Sequence, residues 1–302
     1  MGCLASMIKR SFFKSSYLPY LLILPQLIIT LTFFYWPALQ GLIQSFHLSD
    51  PFGMQSRFVW FYNYIELFTD PLYLRSIFIT FTFSLMVATV SIFLGLFIAT
   101  MASRALKAKA LVRTMLIWPY AVAPAISGIM WLFLLHPSYG VVALGIKRWL
   151  GVEWNPVLNG ADAMVMITMA AAWKQISYNF VFFLAGMQAI PKSLIEAAAI
   201  DGASPFRRFW TITFPLLSPT FFFLSVMNII YSFFETFGVI HTVTQGGPGG
   251  STNILVYKVY QDGFVGLNLG SSSAQSVVLM TLIILITFLQ FRFVEKKVQY
   301  TG

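Results

Sequence analysis

The fold of this chain is decided around residues 191–215, which read PKSLIEAAAIDGASPFRRFWTITFP. The alanine-rich part, residues 193–201, favours a short helix, and Gly202 supplies a helix stop because glycine tolerates the left-handed conformation. Ser204 before a proline is typical of the N-cap of a second helix, which Pro215 would end. The stretch therefore predicts two short helices joined by a tight turn. They form either an ordinary helical loop or a rigid knob that fits a socket on another protein.

Long apolar runs lie on both sides of this stretch. The chain has 302 residues, of which 58% are hydrophobic and only 10% are charged, whereas a soluble domain carries about 25% charged residues. A spanning helix needs about 20 mostly apolar residues. Six runs reach that length, namely 18–42, 77–101, 111–135, 161–187, 216–239 and 274–293. We therefore expect an all-α polytopic membrane protein that forms one domain over residues 1–302 with six transmembrane helices.

The lysines and arginines are distributed unevenly between the loops. With the N-terminus inside, 13 of the 19 fall in cytoplasmic segments and 5 in outer segments, while Lys174 lies within the fourth run. Basic residues favour the cytoplasmic side, so both termini are predicted to be cytoplasmic. Because the charges cluster at the ends of apolar runs, the net charge of +9 is explained without nucleic-acid binding. The cytoplasmic set is Lys9, Arg10, Lys14, Arg104, Lys107, Lys109, Arg113, Lys192, Arg207, Arg208, Arg292, Lys296 and Lys297.

The third run and the loop after it carry signals of their own. Pro119 and Pro124 lie inside the run, and proline removes a backbone donor that lipid cannot replace. They predict either a harmless packing kink or a break that lines a transport path. The segment Val141–Leu150 reads as a short helix that could lie on the outer membrane surface. No repeat relates the first three runs to the last three, which argues against a secondary transporter.

Polar side chains inside two of the runs mark a candidate substrate pathway. Lys174 lies about 13 residues into the fourth run, near the membrane midplane, where a charge costs about 2.5 kcal/mol or more. Four polar residues of the fifth run recur at i, i+3, i+4 and i+7 and form one stripe. The pathway candidates are Lys174, Ser177, Tyr178, Asn228, Tyr231, Ser232 and Glu235.

Two interpretations of these residues stay open. In the first, Lys174 and Glu235 pair with each other or with a partner chain and hold helices together. In the second, both stripes line a hydrophilic cavity. Lys174 then attracts an anionic group such as a phosphate, while Tyr178, Asn228 and Ser232 hydrogen-bond hydroxyl groups.

The sequence contains no recognisable catalytic or metal centre. No Gly-Lys dipeptide occurs, so the chain has no phosphate-binding loop of the Walker type. His47, His136 and His241 are widely separated, and Cys3 is the single cysteine, so no metal site is expected. ATP hydrolysis, if it drives this protein, must come from another chain.

The stretch 191–215 resembles the EAA loop of permease subunits in binding-protein-dependent ABC importers. That pattern is E-A-A, three residues, G, nine residues and I-x-L-P. It is matched by Glu196, Ala197, Ala198, Gly202, Ile212 and Pro215. Phe214 replaces the usual leucine, which is a conservative apolar change. In this family the loop docks into a cleft of the ATPase subunit, so the resemblance implies that these residues, with Asp201, couple the chain to its ATPase.

Further stretches extend the resemblance over nearly the whole chain. They include YLPYL at 17–21, PYAVAP at 119–124, WKQISYNF at 173–180, GGP at 246–248 and SAQSVVLM at 273–280. The span-four stretch and the loop are most similar to the first permease subunit of importers for sn-glycerol-3-phosphate. The resemblance is weakest before residue 11.

The resemblance implies a fold and a set of partners. The fold would be that of the maltose-type, or MetI-like, importer permeases, in the bacterial inner membrane. The partners would be a second homologous permease, two copies of an ABC ATPase, a periplasmic solute-binding protein and membrane lipid. ATP and Mg would be used by the ATPase, and this chain would bind no cofactor and be no enzyme. The solute would be sn-glycerol-3-phosphate, with glycerophosphodiesters as further candidates.

Three alternatives remain at this point. A permease of the same family for a neutral sugar or oligosaccharide would differ at Lys174. A self-sufficient secondary transporter would need coupling-ion carboxylates at midplane, and Glu235 is the one residue near that position. A structural membrane scaffold would leave the spacing of the loop residues without explanation.

Overall fold

The structure, a computed structural model, describes residues 17–49, 56–103 and 109–293, together with residue 295. Nearly all of this part is helical, which confirms the all-α prediction. Seven of the basic residues used for the orientation, and Cys3, lie outside the described residues. The helices are α1 (Leu18–Gln44), α2 (Tyr62–Thr69), α3 (Pro71–Ser103), α4 (Lys109–Ala121), α5 (Pro124–Leu135), α6 (Val141–Leu150), α7 (Gly160–Ala189), α8 (Lys192–Ile200), α9 (Pro205–Leu216), α10 (Ser218–Phe234), α11 (Phe237–Val243), α12 (Leu255–Tyr260) and α13 (Leu269–Phe293).

Length and composition allow six membrane crossings. Three helices, α1, α3 and α13, are each long and apolar enough to span a membrane alone. Three bent pairs, α4 with α5, α7 with α8 and α9 with α10, meet the same test, which gives up to six spans if each pair is one. The six predicted runs correspond to these helices.

The helices α3 and α7 form the centre of the bundle. They approach so closely at one point that a Cβ atom added to Gly95 would lie 2.6 Å from the Cβ of Asn179. Phe83 of α3 and Ile167 of α7 are fully buried near the same interface. In lipid, helices associate through close van der Waals packing rather than through exclusion of water, and small residues make it possible. This pair therefore provides the rigid wall on which the other spans are arranged.

The third span is broken rather than continuous. α4 ends at Ala121, α5 begins at Pro124, and the two axes are bent by 107°. Ala123 is extended, with ψ at 143°, because a residue before proline is disfavoured in the helical region. The span predicted over 111–135 is therefore present as two helices, and the bend fits the predicted break rather than a mild packing kink. We call this break, at Val122 and Ala123, the elbow.

The fifth span also bends near its start, between α9 and α10. The axes of α9 and α10 differ by 67°, and the buried Leu217 lies between them. The sequence predicted that Pro215 would end the preceding helix, but Pro215 lies within α9 and the helix ends at Leu216. A π-helical turn, Phe209–Thr213, precedes it. Its wider winding keeps the proline ring away from the carbonyl that it would meet in a regular α-helix.

The connection between α1 and α2 contains a short hairpin that the all-α prediction did not include. Strand β1 (His47–Ser49) pairs antiparallel with β2 (Ser56–Phe58), with His47 opposite Phe58. The Asn63 side chain in α2 donates to the carbonyls of Ser45 at 2.8 Å and His47 at 3.0 Å. These bonds fix the hairpin against the start of α2.

One lysine joins three helices at one end of the bundle. Lys258 of α12 lies 3.0 Å from Asp262 and 3.9 Å from Asp70, and its side chain is only 11% exposed. Asp262 also accepts a hydrogen bond from Gln275 of α13. Asp70 accepts from the backbone N–H of Leu72 at 2.9 Å, at the start of α3. Because these groups are largely shielded from water, the ion pairs hold the adjacent ends of α3, α12 and α13 together.

The helix α1 has few contacts with the rest of the chain. Its apolar side chains are largely exposed, for example Leu21 and Phe33. It packs mainly near its C-terminal end, where residues 36–44 lie against α13. Most of this helix must therefore face lipid or another protein chain.

Candidate functional site

Residues 192–216 form a compact knob of two short helices joined by a tight turn, as predicted. α8 ends in a Schellman motif, in which Gly202 adopts φ +80°. The N–H of Gly202 donates to the carbonyl of Ala199 at 3.1 Å, and that of Ala203 donates to Ala198 at 3.0 Å. This pair of bonds satisfies the carbonyls at the helix end and reverses the chain direction. We use the name knob for α8 and α9 with the turn between them.

The second helix of the knob begins as the sequence predicted. Ser204 is extended, and its hydroxyl oxygen accepts from the N–H of Arg207 at 3.3 Å. Pro205 occupies the first turn, where no backbone donor is needed. Arg208 then reaches back and donates to the carbonyl of Ile195 at 3.4 Å. The two helices are therefore fastened to each other as well as to the turn.

The knob presents an apolar tip to the solvent. Ile200 is 88% exposed and Phe206 is 74% exposed, which is typical of a surface that another protein covers. The other side is anchored, because Ile195 and Phe209 pack against the core that includes Leu217. The exposed members of the predicted loop set are Glu196, Ala197, Asp201 and Gly202, while Ala198, Ile212 and Pro215 are half-buried.

A cleft separates the knob from the neighbouring ends of α3, α4 and α7. Its volume is about 770 Å³, and its lining includes Arg113, Lys192 and Arg208. The knob therefore contacts the bundle along α9 and at the bottom of this cleft. The cleft keeps the rest of the knob apart from the spans.

The polar stripe of the fifth span faces the bundle interior. Asn228 is fully buried, and its side chain exchanges hydrogen bonds with Asn179 of α7 at 2.8 and 3.2 Å. Ser91 of α3 donates to the Asn228 side-chain oxygen at 2.7 Å. Three spans therefore meet at one amide. Ser91 and Asn179 were not among the predicted pathway residues, because single polar residues in apolar runs show no periodic pattern.

The neighbours of Asn228 on the stripe also form hydrogen bonds within the chain. The Ser232 hydroxyl donates to the carbonyl of Asn228 at 2.7 Å, and the Tyr231 hydroxyl donates to the carbonyl of Ala171 at 3.4 Å. Both side chains are buried. In this conformation Tyr231 connects α10 to α7 and Ser232 bonds within α10, whereas Glu235, just after α10, is exposed.

Lys174 has a partner that the sequence did not suggest. Its side chain is buried, with the residue 6% exposed, and its ammonium donates to the backbone carbonyl of Val122 at the elbow. The ion pairs within 4.0 Å among the described residues are both made by Lys258, so Lys174 and Glu235 are not paired here. The structure therefore brings the Lys174 ammonium to the elbow, and among the described residues no salt bridge joins it to the stripe of the fifth span.

The two other pathway candidates lie on α7 beside Lys174. Ser177 is buried. Tyr178 is half-buried, and its ring lies 5.4 Å from Tyr120 of α4 and 4.7 Å from Phe182. The face of α7 that the sequence predicted is therefore turned toward α4.

The histidines are dispersed. His47 bonds to the carbonyl of Ile43 at 2.8 Å, His136 stacks on Tyr139 at 3.8 Å, and His241 lies among aromatic rings. Over the part of the chain that the structure describes, no group of three His, Cys, Asp or Glu residues could hold a metal ion.

Comparison with known proteins places this architecture in a family. Residues 91–300 match the family described as "Binding-protein-dependent transport system inner membrane component". The chain is 56% identical over 292 residues to the sn-glycerol-3-phosphate transport system permease protein UgpA of Rhizobium meliloti (strain 1021), covering 97% of this chain and 99% of that one. It is 52% identical to the protein of the same name from Yersinia pestis, covering 96% and 98%.

The solved structures agree on the fold. One chain of a bacterial ABC transporter involved in the import of the acidic polysaccharide alginate superposes with a TM-score of 0.80 at 22% identity, covering 93% of this chain and 96% of that one. At this identity the likeness concerns the fold alone. With the family match over most of its length and relatives more than half identical, the chain belongs to the family of inner membrane components of binding-protein-dependent transport systems.

Proposed function

We propose that this chain is a permease subunit of an ABC importer for sn-glycerol-3-phosphate, with glycerophosphodiesters as further candidate solutes. The observation that carries the importer function is the knob, a rigid two-helix element with an apolar, exposed tip at Ile200 and Phe206. The solute is supported by relatives of that name which are 52–56% identical over nearly the full chain.

The knob transmits motion because it is stiff and continues into a span. Its turn is fixed by the two Schellman bonds at Gly202, and Arg208 ties α9 to α8. α9 leads through Leu217 directly into α10. When a partner ATPase closes around the tip, displacement of α9 therefore acts on the fifth span and, through Asn228, on α3 and α7.

The partners follow from this division of labour. A second homologous permease completes the pathway, two copies of an ABC ATPase take the knobs, and a periplasmic binding protein delivers solute at the outer face. ATP and Mg are used by the ATPase, while this chain binds no cofactor and performs no covalent chemistry. Both termini lie in the cytoplasm.

The pathway proposal keeps Lys174 as the group that attracts the solute anion. An ammonium carries three donors, and the Val122 carbonyl accepts one of them. Tyr178 on the same helix is partly accessible, and Glu235, just after α10 of the fifth span, is exposed. Ser177, Asn228, Tyr231 and Ser232 are buried here. They reach the solute only after the spans have rearranged during the transport cycle.

Solute uptake tests the proposal. Cells that lack this subunit are complemented with the wild-type chain and given labelled sn-glycerol-3-phosphate, a glycerophosphodiester or a disaccharide. Uptake of the first, and its loss without the binding protein, is expected. Uptake of the disaccharide alone would refute the solute assignment and leave the importer assignment intact.

A further inference from the structure

Both arms of the broken third span rest on the same part of α7. On the α4 side, the Trp118 ring lies 5.6 Å from Trp173. On the α5 side, the Trp131 ring lies 6.4 Å from Trp173, and the Ser127 hydroxyl donates to the carbonyl of Ala170 at 3.0 Å. Trp173 is thus in contact with one ring from each arm. The next residue along α7 is Lys174, at the elbow itself.

The elbow leaves backbone carbonyls without their helical donors. In a continuous helix, the carbonyl of Tyr120 would accept from residue 124, but Pro124 has no N–H. The carbonyl of Val122 lies just beyond the end of α4. An unsatisfied carbonyl in a membrane is strongly unfavourable, because lipid offers no donor to replace the lost one. A positive charge is favourable at a helix C-terminus because it complements the partial negative charge there. The Lys174 ammonium supplies both the donor and the charge.

We propose that Lys174 is the positioning residue of the third span: its ammonium caps the open end of α4 and thereby holds the bend between α4 and α5. The lysine has this role whether or not solute is present, and it uses one of three donors, so solute contact by the remaining ones stays possible. The inference rests on the proposed transport function for its second readout only.

A distance measured across the elbow tests this directly. In the complete complex with Cys3 replaced by serine, spin labels are attached at Met115→Cys and Phe133→Cys, two exposed positions on α4 and α5. With a rise of 1.5 Å per residue, the two backbone sites are about 15 Å apart at the observed bend and about 27 Å apart in a straight helix. A partial opening of the elbow therefore lengthens the distance by several Å.

The variants separate the donor from the rest of the side chain. Lys174→Met keeps the length but cannot donate, so the distance distribution should broaden and move to longer values. Lys174→Arg and Lys174→Gln keep a donor and should preserve the wild-type distance. Lys147→Met, which removes a charge from the exposed face of α6, serves as the control and should change nothing.

A second readout follows the transport cycle. If the elbow is released, ATP hydrolysis by the complex should lose its dependence on the binding protein in Lys174→Met, while Lys174→Arg should retain that dependence.

An unchanged distance in Lys174→Met overturns the inference, as does a Lys174→Arg distance that departs from the wild type. Where Lys174→Met fails to assemble, the Arg and Gln variants decide, since the inference requires both to keep the bend. Absence of sn-glycerol-3-phosphate uptake by the wild-type complex would instead refute the proposed function and leave the elbow distances valid.

Discussion

Replacing Gly202 by valine should uncouple the permease from its ATPase. Gly202 has φ +80°, and a Cβ atom added there would meet nothing within 4 Å. The effect is therefore backbone strain without a steric clash. The left-handed region costs a side-chain residue about 1–2 kcal/mol, and more for a β-branched one. The native knob would then be disfavoured by about 5–30-fold relative to conformations with a different turn.

Two matched variants separate strain from other effects. Gly202→Asn should be milder, because asparagine tolerates the left-handed conformation. Gly250→Val places the same residue at φ +74°, again with nothing within 4 Å, but on the outer side. Its effect on ATPase binding should be absent. The assay is co-purification of the ATPase with tagged permease, combined with solute uptake and ATP hydrolysis.

The expected pattern is specific to the coupling step. Gly202→Val should insert and fold, but the ATPase should detach or hydrolyse ATP without transport. Wild-type retention of the ATPase together with wild-type uptake in Gly202→Val would show that the knob is not the coupling element.

Four further outcomes can be checked. Gly95→Leu should prevent stable assembly, measured by thermal aggregation, because its Cβ would lie 2.6 Å from a neighbouring span. Asn228→Leu should lower stability by about 1–3 kcal/mol, seen as a lower melting temperature, since Ser91 and other buried polar groups lose their partner; an unchanged melting temperature would contradict this. Reporter fusions at Gly2 and Thr301 should both report a cytoplasmic location, and a periplasmic signal at either position would contradict the predicted topology. The purified chain alone should show no ATP hydrolysis, because it lacks a phosphate-binding loop. Turnover that survives stringent purification would contradict this expectation.

The knob was predictable because its signals are local. Each signal acts on residues close to it in sequence. These signals are the alanine-rich segment, the glycine after it and the serine before a proline. The structure contains these features at Gly202 and Ser204 as expected. The end of the second helix was misplaced, because a π turn before Pro215 is a property of the helix winding and leaves no mark in composition.

The polar groups within the spans were less predictable. The periodicity correctly collected Asn228 and Ser232 on one face, but a stripe that bonds to other helices and one that lines a cavity look identical in sequence. The partner of Lys174 is a backbone carbonyl 52 residues away. Every residue has such a carbonyl, so the pattern of residue types in the sequence could not identify this one. Prolines at 119 and 124 indicated a distortion of the third span, whereas the size of the bend depends on the packing of both arms against Trp173.

The contact between the first and last spans has a consequence for biogenesis. α1 leaves the ribosome before the other spans, yet the surface it packs on within its own chain is mainly α13, near residues 36–44. This packing surface is therefore absent while the intervening spans are inserted around the α3–α7 pair. Insertion of the sixth span supplies it. A chain whose synthesis stops before the sixth span would lack the surface on which residues 36–44 pack, so α1 can be seated within its own chain only late in synthesis.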